Sequence, residues 1–261
     1  MEAMLESVLA QTYPKWELIL VDDGSGDGSV DTIKRFLKKK AVQESSTDPE
    51  EAEVTDSLWS WCVVCQGYEQ CIQFLELGEN HGAAYARNAG IQRVHGEFLC
   101  FLDADDLWEP EKLERQLAFM RERQIAFSFT AYEFILEDGR KTGRRAHVPE
   151  RITYAQALCN TTISTITVMF DRKRIPMELL RMPEVESEDT AMWWQVLQAG
   201  YMAYGIDRVL SYYRRGGKTL SSNKLTSALR TWRLYGREGL PLWRRLYCFC
   251  SYGWHAVRRR M

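Results

Sequence analysis

The chain runs to 261 residues, 45% hydrophobic and 27% charged, with 34 basic side chains against 36 acidic ones and a net charge of −2. That length can bury the core of one large α/β domain plus an appendage. The charge balance argues against bulk nucleic-acid binding, and no apolar run approaches the roughly 20 residues of a membrane span. Seven scattered cysteines, an odd number, suit reduced thiols. The opening Met1-Glu2-Ala3-Met4-Leu5-Glu6 lacks a signal peptide's basic start and long apolar stretch, so a cytoplasmic protein is expected.

Residues 1–11 read as a helix with Leu5, Val8 and Leu9 on one side. Trp16 to Val21 reads as a strand, closed by Asp22-Asp23-Gly24-Ser25-Gly26-Asp27-Gly28, after which Ser29 caps a helix running to about Lys40. Residues 41–70 begin acidic and Ser/Thr-rich and read as an irregular, exposed excursion; Cys62-x-x-Cys65 within it has no second pair to complete a zinc site. Ile72 to Leu77 is a short strand, followed by Glu79-Asn80-His81-Gly82 and a helix through Ala83, Ala86, Ala89 and Ile91. Phe98 to Leu102, five apolar residues in a row, reads as a strand buried on both faces. A helix from Pro110 to about Arg123 completes an alternation that argues for a parallel, doubly wound sheet.

The second half extends that sheet as a mixed one. Ala126 to Leu136, Ile163 to Phe170 and Tyr201 to Tyr213 read as strands. Ser187-Glu188-Asp189 opens a helix carrying Met192, Trp193, Val196 and Leu197, stopped by Gly200. The expected organisation is one α/β domain over residues 1–222, with 41–70 as an irregular insertion, and a basic amphipathic helical tail over 223–261.

Three clusters carry chemistry. The strand ending at Leu102 delivers Asp103, Asp105 and Asp106 within four positions, where ligands of open α/β sheets bind. Two such acids suit Mg²⁺ or Mn²⁺ sharing its remaining ligands with phosphate; the alternative is a simple helix cap. Asp22 and Asp23, at another strand end, can accept hydrogen bonds from a base edge or a ribose hydroxyl, although one of them would serve for a turn alone. Arg87 suits a diphosphate or a solvated helix face. Asp189 suits a general base, or an acid that merely favours its helix dipole.

The set W-E-L-I-L-V-D-D-G-S-x-D-G-S, E-N-H-G-A-A-Y-A-R-N-A-G, G-E-F-L-C-F-L-D-A-D-D-L-W and E-D-T-A-M-W-W-Q-V-L resembles the family 2 glycosyltransferases. Within them it looks most like bacterial cell-surface polysaccharide enzymes of the teichuronic-acid type. The resemblance implies an A-type glycosyltransferase fold: a Rossmann-like, mostly parallel sheet extended by a mixed second half. It also implies inverting transfer from a nucleotide-sugar, typically a UDP-sugar, to a glycan or lipid-linked acceptor, with Mg²⁺ or Mn²⁺. Asp22 and Asp23 match its nucleotide-binding acids and Arg87 the arginine near the diphosphate. Asp103 and Asp105 match the D-x-D pair, with Asp105 the direct metal ligand. Asp189 matches the catalytic base, and the stretch from Tyr213 to Ser222 a loop over the donor. The alternative is a catalytically impaired remnant serving as a nucleotide-binding or scaffold protein.

Two further expectations follow. The family's usual first strand, ending in a P-x-Y-N-like turn, has no counterpart before the opening helix, so the sequence reads as N-terminally shortened, with a gap beside the Trp16–Val21 strand. From Arg230 to Met261 eight arginines stand against Glu238 alone, and Trp243, Leu246, Tyr247, Cys250, Trp254 and Val257 fall at helical spacing. That pattern fits an interfacial helix on a membrane surface, or a helix packed back on the domain.

Overall fold

A computed structural model describes residues 1–44, 58–65, 67–160, 162–215 and 224–258. α1 (Glu2–Leu9) buries Met4, Leu5 and Val8, and β1 (Glu17–Asp22) and α2 (Ser29–Glu44) follow. β3 (Tyr68–Glu76) runs parallel to β1, placing Leu20 opposite Phe74 and Asp22 opposite Glu76. The irregular reading of residues 41–70 is corrected at both ends, while 45–57 lie outside the described residues. α2 continues to Glu44, and Leu58–Cys65 forms a strand, β2, antiparallel to β3. Trp59, Trp61 and Val63 alternate with Ser60 and Cys62, the period of a half-buried strand. Val63 is fully buried, Trp59 stacks on Trp61 at 6.2 Å, and the Trp59 indole donates to Glu76 Oε1 at 2.7 Å. The acidic run before it masked this short alternation.

α3 (Ala83–Ile91) leads to β4 (Phe98–Cys100), which is shorter than its apolar run because the chain turns at Asp103, whose carbonyl accepts the Asp106 N–H. Next come β5 (Leu107–Trp108), α4 (Lys112–Glu122), β6 (Phe127–Leu136), β7 (Lys141–Ala146), β8 (Arg151–Ile152) and α5 (Tyr154–Cys159). α5 opens on a full capping box between Thr153 and Gln156. β9 (Met169–Asp171), α6 (Glu188–Gln198) and β10 (Ala203–Arg215) complete a second sheet in the order β4-β9-β6-β10-β5, with β7 on β6 and β8 on β10.

Among the described residues parallel pairing is confined to β1–β3 and β6–β10; β9 enters between β4 and β6 antiparallel to both. The expected strand over Ile163–Phe170 is interrupted by a 3₁₀ turn at Thr165–Thr167, and only Met169 and Phe170 of it enter β9. Its Ile166 carbonyl faces side chains instead of a ladder, accepting from the Trp108 indole at 2.9 Å and from Ser211 Oγ at 3.1 Å.

Among the described residues the two sheets do not join. β1 pairs only with β3, and β4 only with β9. Leu18, Val21, Leu99 and Phe101, from the edges left open, line one apolar cavity of about 750 Å³. β2 lies on the far side of β3 and does not enter this space.

β6 is buried along nearly its whole length. Phe127 stacks on Phe170 at 4.3 Å, and Trp193 of α6 packs on both. Two further helices, α7 (Lys224–Arg237) and α8 (Leu242–Arg258), close this core. Tyr235 stacks on Trp194 and donates its hydroxyl to the Leu158 carbonyl at 2.6 Å, while Leu234 and Cys248 are buried beside it.

Gly205 in β10 marks the tightest backbone approach, since a β-carbon there would lie 2.1 Å from the Pro149 carbonyl oxygen. Gly205→Ala must push one chain away from the other. We expect a loss of about 1–3 kcal/mol, read as a lower urea midpoint at unchanged slope.

Candidate active site

The turn after β4 owes its shape to ion pairs that reach into it. Arg87, in the middle of α3, donates from Nη2 to Asp103 Oδ1 at 2.7 Å and from Nη1 to Glu188 Oε1 at 2.6 Å. One guanidinium therefore joins α3, the acidic turn and the first residue of α6. Burial works against its charge, but Asp103, Glu188 and Asp189 outweigh that and hold it above its ordinary value. The neighbouring Asn88 fixes the approach to α6. Its amide donates to the Met182 carbonyl and accepts from the Met182 N–H, both at 2.8 Å and buried.

Ser187 adopts φ 61°, ψ 47° just before α6, a left-handed conformation that non-glycine residues hold only under constraint. The bend aims Glu188 at Arg87 and leaves Asp189 facing Thr165. Asp189 Oδ2 accepts from the Thr165 hydroxyl at 2.8 Å, and Oδ1 from the Thr190 N–H at 2.5 Å. Asp189 is half-buried.

On the other side of the site, Asp22 and Asp23 both bond to backbone. Asp22, buried, accepts the Ser25 N–H at 3.0 Å. Asp23 accepts from the N–H groups of His81 and Gly82 at 2.8 and 2.7 Å, and so caps the loop that opens α3. Gly24 makes this approach feasible: at φ +74° its missing β-carbon would meet Asn80 N and Glu79 C at 2.7 Å.

Asp106 is 1% exposed and accepts the Arg214 N–H at 2.6 Å. Burial pushes its carboxyl up to about 8; the Arg214 N–H opposes that, while Asp105 and Asp103 add repulsion. Arg214, near the end of β10, also donates from Nε to the Asp105 carbonyl at 2.6 Å and from Nη1 to the carbonyls of Leu136 and Glu137. The main-chain oxygen of Asp105 is thus held while its side chain stays exposed.

The structure thereby gathers Arg87 and Asp103 with the N-terminus of α6 that carries Asp189, and sets Asp105 on the same turn. Asp22 and Asp23 stand apart from them, linked through the loop at His81–Gly82. Glu188, Asn88, Asp106 and Thr165 complete the arrangement; the sequence marked Asp106 among the acids after β4, Asn88 beside Arg87 and Glu188 beside Asp189, but nothing in it pointed to Thr165. Of the stretch from Tyr213 to Ser222, residues 216–222 lie outside the described ones. Among the described residues no three His, Cys, Asp or Glu side chains converge to enclose a metal. The donor set of Asp105 with Asp103 instead fits a hard cation that completes its shell with phosphate oxygens.

The family model for glycosyl transferase family 2 matches residues 1–46 and 52–175. The chain is 37% identical over 262 residues, spanning all of this chain and 92% of its relative, to the TuaG glycosyltransferase of Bacillus subtilis (strain 168), named for teichuronic acid biosynthesis. It is 29% identical over 250 residues, 96% of this chain and 86% of the other, to the Escherichia coli UDP-Glc:alpha-D-GlcNAc-diphosphoundecaprenol beta-1,3-glucosyltransferase WfaP. Among solved structures, S. aureus TarS 1–349 in complex with UDP-GlcNAc superposes with a TM-score of 0.59 at 17% identity, over 95% of this chain and 66% of that one. The mannosyltransferase PcManGT from Pyrobaculum calidifontis, in complex with GDP-Man and Mn²⁺, gives 0.62 at 16% identity, over 96% and 64%. The chain thus spans slightly less than two thirds of these solved chains, and the fold is the A-type glycosyltransferase fold.

Asp106 supplies a test of the site's electrostatics. Its carboxyl has an ordinary value of 3.8 and about 8 in the fold, so the native state keeps a proton that the unfolded chain releases. The wild type therefore loses stability as pH rises from about 4 to 8. Asp106→Asn keeps an acceptor for the Arg214 N–H and removes that penalty. Thermal melts of the metal-free protein should show its advantage over wild type growing between pH 5 and 8. Asp106→Leu, which leaves the N–H unpaired, should cost about 1–3 kcal/mol.

Proposed function

We propose, because the chain belongs to glycosyl transferase family 2, that this site moves a sugar with inversion from a UDP-sugar to a glycan or lipid-linked acceptor in cell-surface polysaccharide synthesis. The observation that carries the reading is the Arg87 bridge, which seats the D-x-D turn beside the helix end bearing Asp189. The relatives add a cell-surface pathway in one name and a lipid-diphosphate acceptor in the other. The remnant alternative finds no support among them. An acceptor of that kind is met at the inner face of the plasma membrane, by an enzyme on its cytoplasmic side.

In this reading Asp189 takes the proton of the acceptor hydroxyl on a carboxylate oxygen as that hydroxyl attacks the anomeric carbon opposite the leaving group. A placed base contributes ~10²–10⁴-fold. Thr165 holds Oδ2 and so sets the direction of the carboxylate. Arg87 orients Asp103 and, in this reading, faces the departing diphosphate. Asp22 and Asp23 line the base and ribose side, where carboxylate oxygens bonded to one N–H each keep further acceptor capacity. A Mg²⁺ or Mn²⁺ ion held by Asp105 and Asp103 would, when bound, neutralise charge on the leaving nucleoside diphosphate.

Incubation with a panel of UDP-sugars, Mn²⁺ and lipid-linked or glycan acceptors should release UDP. Asp189→Asn should lower kcat by at least about 10²-fold and leave the affinity for UDP within a few-fold, because a base acts only during reaction. A loss of donor affinity or of stability instead would assign Asp189 to the helix cap.

Calorimetry with UDP tests the cation separately. Affinity should fall steeply on chelation, and Asp105→Asn with Mn²⁺ present should resemble the chelated wild type. Equal binding in all three conditions would remove the ion from the reaction.

A further inference from the structure

The described surface concentrates its large exposed apolar side chains on one element. Leu242, Trp243, Leu246, Tyr247 and Trp254, between 51% and 71% exposed, all belong to α8. At about 100° per residue these positions and the exposed Cys250 fall within about 140° of arc. The opposite side and one flank of the same helix are already satisfied. Cys248 is buried against α5, and Phe249 meets Trp232 edge to face at 5.5 Å and stacks with Tyr252. The open stripe is therefore a second face, not a core face left uncovered.

Its chemistry selects the occupant. α8 contains no acidic residue, and neither does α7. Arg244 and Arg245 stand at the start of α8, and the sequence ends Arg258-Arg259-Arg260-Met261. Two tryptophans and a tyrosine are the side chains that favour the headgroup level, where an apolar body and a polar tip are both accommodated. A convex apolar helix face beside Arg244 and Arg245, on a helix without acids, fits the surface of an anionic bilayer better than a protein groove, which would offer a pocket for anchors and acids for the arginines.

We propose that α8 docks in the plane of an anionic phospholipid surface through Trp243, Leu246, Tyr247 and Trp254, with its arginines at the headgroups. The docked helix is coupled to the site. On α7, which packs against α8, Arg233 pairs with Glu186 at 2.8 Å and Arg230 with the same carboxylate at 3.8 Å, two residues before Glu188. Docking would thus hold the α6 end of the site, with Asp189, close to the lipid surface. The docking stands independently of the donor and acceptor proposed above, and its test uses neither.

The test is sedimentation of the full chain with vesicles of phosphatidylcholine alone and of equal parts phosphatidylcholine and phosphatidylglycerol. The chain should sediment with the anionic vesicles, weakly or not at all with the neutral ones, and less as salt screens the arginines. The triple variant W243S/Y247S/W254S, with its melting curve checked against wild type, should lose at least about tenfold in vesicle affinity. Should that variant fold poorly, quenching by brominated phosphatidylglycerol in the unaltered chain and in the single variants W243F and W254F gives the same answer, since Trp243 and Trp254 are the exposed indoles among the described residues and their share of the quenching should vanish with them. Absence of sedimentation with anionic vesicles, or of quenching, overturns the proposal. So does equal binding by the folded triple variant. Self-association of the chain that the same substitutions abolish, without vesicle binding, would assign the stripe to a second copy and overturn it as well.

Discussion

A guanidinium that is largely buried must be matched by acceptors, because an unpaired charge in that setting costs several kcal/mol. Arg87 meets this need with Asp103 on one side and Glu188 on the other. Three segments far apart in sequence are thereby fixed to one another: α3, the turn after β4 and the start of α6. The strained Ser187 and the paired bonds of Asn88 to Met182 serve the same junction, since each restricts how the chain can approach Glu188. Replacing Arg87 by lysine would keep the charge but lose the fork that spans two carboxylates at once.

α3 also sets the distance between the two halves of the site. Asp23 holds its beginning at Gly82, and Arg87 lies five residues further on, a rise of about 7.5 Å along a helix. A short rigid rod thus separates the acids at the end of β1 from those after β4. The spacing does not rely on strand pairing, because β1 and β4 do not pair and an apolar cavity lies between their edges. Polar contacts at the carboxyl ends of the strands carry the alignment that a shared ladder would otherwise supply.

Much of this was legible in the sequence where the signal was local. The acids after apolar runs at Asp22-Asp23 and Asp103-Ala104-Asp105 marked strand ends, and the helical spacing of Met192, Trp193, Val196 and Leu197 marked α6, whose inner face is buried throughout. What depended on distant partners was not legible. β2 is a strand because Phe74 and Leu75 of β3 lie opposite Trp59 and Leu58, and nothing in its own short alternation outweighed the acidic run before it. The Ile163–Phe170 segment has strand composition, yet Trp108 and Ser211 draw its backbone into a turn. Asp106 looked like a third equivalent acid beside Asp103 and Asp105, and only its burial behind Arg214 separates it from them. Of the tail's two alternatives, packing back on the domain is the one visible in the contacts. α7 packs back on the core, and α8 does so with one face while leaving the other open.

The charge around the turn bears on the proposed chemistry. Asp103, Glu188 and Asp189 lie near Arg87, which offsets only part of their charge; Asp105 follows Asp103 on the same turn, and Arg214 is spent on main-chain carbonyls. Burial holds Asp106 protonated near neutral pH, and repulsion from Asp105 and Asp103 adds to that, so the turn carries one negative charge fewer. A nucleoside diphosphate entering such a site adds at least two more negative charges. Among the described residues one arginine does not balance them, and no lysine is part of the cluster. A divalent cation on the exposed Asp105 carboxylate would restore the balance where the diphosphate must sit. That electrostatic deficit, independent of any motif, is the physical support for the cation in the proposed reaction.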